Sequence, residues 1–100
     1  MSTQKLFKPF ADKYRKKAKA TSKNTIINDL IKDYYATTLE EALHQPKHFG
    51  EESAQAEEDP RGLATRYTAD FRSALIKKDR LTLEYLFIHM LEDQDNESQV

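Results

Sequence analysis

The chain of 100 residues has no cysteine, which excludes disulfides, thiolate metal sites and thiol chemistry. A cytoplasmic location is the expectation that follows. Tryptophan is also missing, glycine occurs only at Gly50 and Gly62, and proline only at Pro9, Pro46 and Pro60. Gly and Pro are the strongest punctuation in a chain. Their scarcity argues against short strands joined by tight turns and favours helices. No apolar run approaches the roughly 18–20 residues of a membrane span. The first residues lack the apolar stretch and small-residue cleavage site of a secretory signal, so none is expected. Neither a convincing alternation of apolar and polar residues nor a repeat of fixed period is present.

What the chain has in quantity is charge, at 33% of residues against 38% hydrophobic, and that charge is unevenly spread. Lys5, Lys8, Lys13, Arg15, Lys16, Lys17, Lys19 and Lys23 face only Asp12 in residues 1–25, a net +7. Residues 81–100 hold Glu84, Glu92, Asp93, Asp95 and Glu97 without a Lys or Arg, a net −5, while the whole chain carries −1. A basic head and an acidic tail attract each other, or each attracts a separate partner.

The apolar residues fall at helical spacing. A first helix is expected over Pro9–Ala20, with Phe10, Ala11, Tyr14 and Ala18 on one face and the cations largely off it. Thr21–Asn24 reads as a turn in which Asn24 caps a second helix. That helix carries Ile26, Ile27, Leu30, Ile31, Tyr34 and Tyr35 over half its circumference, wider than the roughly 100° stripe of an ordinary surface helix. Leu39 and Leu43 fall out of phase beside two overlapping Thr-x-x-Glu capping boxes. A break near Thr37–Thr38 and one long helix are both open readings. Residues 45–59 hold a Pro, a Gly and five acids, and are expected to be a flexible acidic linker. Asp59-Pro60 restarts helix. A third stripe is Leu63, Tyr67, Phe71, Ala74 and Leu75, and a fourth is Leu83, Leu86, Phe87, Met90 and Leu91, with Asp79 or Thr82 as its cap. Residues 93–100 read as a disordered tail. The expected fold is all-α: a single domain of residues 1–100, a small four-helix bundle-like arrangement of two helical hairpins joined by the acidic linker.

Catalytic equipment is not visible. His44 and His48 are four residues apart near Glu40 and Glu41, but Pro46 lies between them and disfavours the shared turn that a metal site on a helix requires. His89 lies beside the fourth stripe and reads as boundary packing. Carboxylates come in runs such as Glu51-Glu52 and Glu57-Glu58-Asp59, the pattern of solvated surface. Asp29 and Asp33 sit one turn apart on a helix flank. No Gly-rich phosphate loop and no nucleophile motif is present. The expectation is therefore no enzyme, no cofactor, no metal and no small-molecule ligand.

The remaining leads are for binding. Ile27, Ile31, Tyr34 and Tyr35 are the expected partner-contact residues, on the wide face of the second helix. Lys5, Lys8, Lys13, Arg15, Lys16 and Lys19 are the expected contacts to nucleic acid or to an acidic partner. Ser22, Ile26, Ile27, Leu30, Ile31 and Tyr34, following a short basic helix and a turn, resemble the second helix of ribbon-helix-helix DNA-binding domains. The resemblance covers residues 3–36. It implies an intertwined dimer inserting a two-stranded ribbon into the major groove, with Lys5 and Lys8 as groove contacts. The first expectation is nevertheless a small non-enzymatic regulatory module acting by protein–protein contact, including contact with a second copy of itself. DNA binding is the alternative, and an inhibitor or immunity-type protein with an acidic docking surface the third.

Overall fold

The computed structural model describes residues 12–98. Helix α1 covers 12–20 of the described chain, α2 is Lys23–His44, a 3-10 segment spans Pro46–Glu52, α3 is Ser53–Glu58, α4 is Pro60–Ile76 and α5 is Arg80–Ser98. The fold is all-α, and no strand occurs among the described residues. The expected ribbon, with Lys5 and Lys8, lies outside them.

Three helix starts share one device. A short polar side chain just outside the helix accepts a hydrogen bond from the amide three residues on, satisfying a donor that the helix leaves free. Ser22 does this for Thr25 N at 3.2 Å, Asp59 for Gly62 N at 3.1 Å and Asp79 for Thr82 N at 2.9 Å. The cap of α2 is thus Ser22 rather than Asn24, which lies one residue inside the helix.

Helix α2 runs unbroken for 22 residues through Thr37 and Thr38. Its buried positions do not lose phase. Beyond Ile26, Ile27 and Leu30, the line of burial passes through half-buried Ile31, Tyr34 and Tyr35 to buried Thr38 and Ala42. Small side chains continue the inward face, and Leu43 is left 57% exposed.

Residues 45–59, expected as a flexible linker, carry the 3-10 segment and α3. Gly50 turns the chain with φ +58° and ψ −118°, a conformation that favours glycine. Beyond it Ala56 is buried with Ala42 and Leu63, and Phe49 and Tyr67 pack against that cluster. The end expected as a tail from residue 93 is helical through Ser98.

The described chain divides into two compact units, and the division differs from the expected pair of hairpins in falling within α2 rather than at residues 45–59. One unit joins residues 12–30 with 78–98, and the other is Ile31–Lys77. In the first, Tyr14 and Ala18 of α1, Ile26, Ile27 and Leu30 of α2, and Leu83, Phe87, Met90 and Leu91 of α5 are buried. Each large side chain withdrawn from water in this way contributes about 1.5–3 kcal/mol. In the second, Thr38, Ala42, Ala56, Leu63, Ala64, Thr68 and Leu75 are buried.

Candidate functional site

In the unit of α1 and α5, the ordering side chain is Arg80. Its Nη2 donates to the Ala18 carbonyl at 2.7 Å and to the Thr21 carbonyl at 2.6 Å, and its Nε donates to Glu84 Oε2 at 2.7 Å. The guanidinium thereby meets two carbonyls at the end of α1, where the helix dipole favours a cation, and the Ala18 carbonyl also accepts from Thr21 N at 3.3 Å. At the far end of α5, the Tyr14 hydroxyl donates to Asp95 Oδ2. The Asp95 hydrogen bond, burial and the charges of Asp95 and Glu92 together push the Tyr14 pKa up to about 12. Two polar clamps, one at each end, fix α1 against α5.

With the inward face of α5 so fixed, its other side is set by the 3.6-residue repeat. Leu81 is 75% exposed and Tyr85 62% exposed. Ile88 is half-buried, and His89 is exposed with its ring edge-on to Tyr85 at 4.4 Å between centroids. These residues recur at spacings of four and three, opposite Leu83, Phe87 and Met90. An apolar strip therefore faces solvent on a helix whose opposite side is core. Sequence reasoning missed it because Leu81 and Tyr85 stand outside the stronger inward stripe. The signal was present in the spacing of Leu81, Tyr85 and Ile88.

The expected contact residues of α2 are less available. Ile27 is buried, at 5% exposure, and takes its place in the core rather than on a contact surface. Ile31, Tyr34 and Tyr35 are half-buried, and the Tyr34 ring lies 4.4 Å from that of Phe71. The cause is the width of the apolar face: a helix that is apolar over half its surface is consumed by its own fold.

Tyr34 and Phe71, with Glu52, Arg66, Tyr67 and Asp70, line an open cleft of about 430 Å³ in the Ile31–Lys77 unit. Three of its lining side chains bond to one another. Tyr67 donates to Glu52 Oε1 at 2.7 Å, and Arg66 donates to Glu52 Oε2 and to Gln55 Oε1. These contacts order the 3-10 segment and α3 against α4.

Of the basic segment's cations, Lys13, Arg15, Lys16, Lys17 and Lys19 are all exposed on α1, with the Lys13 ammonium 5.9 Å from the Tyr14 ring centroid, and Lys23 is exposed at the start of α2. Arg15 approaches Asp12 at 3.9 Å. His48 Nδ1 lies 2.9 Å from Glu41 Oε1, and His44 is exposed. Among the described residues no three His, Asp or Glu side chains converge as a metal site, and no helix is long and apolar enough to cross a membrane. Compared with protein-family models, with curated proteins and with solved structures, the chain matches none.

Proposed function

We propose that this chain is a non-enzymatic helical binding module, cytoplasmic, acting through protein–protein contact at the outer face of α5. The observation that carries the proposal is the strip of Leu81, Tyr85 and Ile88 on the side of the helix opposite the core. Single exposed apolar residues are ordinary, but a periodic strip on a helix already anchored by its other face marks a contact surface. Tyr85 supplies a large, stiff anchor with a polar tip, the residue type enriched at the centre of interfaces.

Replacing Tyr85 by p-benzoylphenylalanine and irradiating the cells that make the protein tests this reading. The same residue at exposed Ala69 on α4 is the control. A discrete adduct from position 85, absent from position 69 and lost when Leu81→Asp is added, supports it. No adduct at position 85 overturns it.

The five exposed cations of α1 favour a second reading, contact with duplex DNA. A fluorescence titration at two salt concentrations separates the two. Binding at low salt that weakens steeply with added salt supports DNA contact, and no binding at low salt removes it.

A further inference from the structure

We propose that the partner of the α5 face is a second copy of this chain, packed antiparallel across a two-fold axis at Tyr85. The inference rests on the protein-contact reading above and names its occupant.

Self-complementarity in the order of residues along α5 carries it. Leu81 lies four residues before Tyr85 and His89 four after, while Lys78 lies seven before and Glu92 seven after. Within α5, at about 100° per residue, Leu81, Tyr85, Ile88, His89 and Glu92 share one face, and Lys78 stands two residues before the helix begins at Arg80. Lys78, Leu81, Tyr85 and His89 are all exposed, and Ile88 and Glu92 are half-buried. A two-fold axis beside Tyr85, perpendicular to the helix, sets the end of one chain that bears Lys78 beside Glu92 of the other, and Leu81 beside His89 and Ile88. The operation generates each contact twice, as an isologous interface requires. Parallel packing instead sets Lys78 against Lys78 and Glu92 against Glu92.

The order of charge along α5 is a further argument. The first turn contains no acid and the last turn no base. Lys78 stands before the helix, and Glu92, Asp93 and Asp95 crowd its final turns. Apart from the Asp79 cap, this order opposes the helix dipole, which favours acids at the start and bases at the end. An antiparallel copy reverses the account, bringing the cation of one chain to the acidic end of the other and setting the two dipoles against each other.

Sedimentation equilibrium on the full chain is the first test, and a species of twice the chain mass at micromolar concentration is expected. Tyr85→Asp and Leu81→Asp should raise the dissociation constant at least about tenfold while the helical circular dichroism and thermal unfolding remain those of the parent. Because the chain has no cysteine, introduced thiols report the register. Leu81→Cys and His89→Cys chains should form a mixed disulfide when combined, and Leu81→Cys alone should form none. Lys78→Glu and Glu92→Lys should each weaken the pair, and the double variant should restore it.

A monomer at high micromolar concentration, or ready self-crosslinking of Leu81→Cys, overturns the antiparallel pair. The Tyr85 photo-adduct then separates the two ideas. An adduct whose mass is not twice the chain removes self-pairing and leaves protein contact standing. A monomeric chain with no adduct removes both.

Discussion

Tyr14 is the residue whose chemistry the fold changes most. Its hydroxyl donates to Asp95, and the hydrogen bond, burial and adjacent acids hold the proton on, up to about pH 12. An unfolded tyrosine ionises near pH 10. The folded group therefore binds its proton more tightly than the unfolded one. Its contribution to stability is complete below pH 10 and is lost as the pH rises toward 12. Titration followed by phenolate absorbance should show one of the five tyrosines ionising late. Tyr14→Phe should remove that late step, and Asp95→Asn should move it to lower pH. Asp79 has the opposite sign. The hydrogen bonds from Thr82 hold its carboxyl below the ordinary aspartate range. Its stabilising effect is present above the unfolded pKa and disappears as the pH falls through the folded one, so thermal unfolding of Asp79→Asn should vary less with pH in that acidic window.

Gly62 and Asp59 illustrate two local effects that compensate. A Cβ at Gly62 would meet the Asp59 carboxylate that caps α4. Gly62→Ala gains up to about 1 kcal/mol of helix propensity, and displacing the cap costs about the same. The substitution alone should be near neutral by denaturant titration. Asp59→Ala should cost about 1 kcal/mol. Adding Gly62→Ala to Asp59→Ala should recover most of that loss, because no cap remains to displace.

At the scale of elements, the 3-10 segment and α3 depend on a few side chains from α4. Phe49 meets the Tyr67 ring edge-on at 5.7 Å, and Glu52 receives hydrogen bonds from Arg66 and Tyr67. Phe49→Ala should withdraw about 1–2 kcal/mol from this segment. Trypsin cleavage after Lys47 should then accelerate about tenfold, in proportion to the open population. Composition alone suggested a linker here because five acids, Pro46 and Gly50 resemble disordered sequence. What opposed that reading was Phe49, the one large apolar residue in the segment, together with Ala56, whose small side chain fits the buried cluster with Ala42 and Leu63. The same blindness to small residues affected α2. Thr38 and Ala42 carry its buried line onward, but a wheel that counts only large apolar residues sees a change of phase.

At the scale of the molecule, α2 supplies residues to both compact units. Asp33→Pro, at an exposed position near the middle, should cost about 3 kcal/mol or more by breaking the backbone ladder. Hydrogen exchange should then report lost protection at Ile26–Leu30 and at Thr38–Ala42 alike. Protection lost on one side alone would mean that each half of the helix is held independently.

The sequence by itself determined the all-α class, the cap at Asp59, the inward stripe of α5, that of α4 except for exposed Ala74, and the exposed cations of α1, while leaving the α5 cap open between Asp79 and Thr82. These follow from hydrogen-bonding geometry and a fixed helical period, which act within a turn or two of chain. Only the tertiary structure decided which apolar residues remain outside. It buried Ile27, half-covered Tyr34 and Tyr35, and left Leu81 and Tyr85 in water. It also gave Arg80 the task of closing the end of α1 across 62 positions of chain. The physical reason is that burial and long-range hydrogen bonds depend on which surfaces meet, and surfaces meet only when distant segments have folded together.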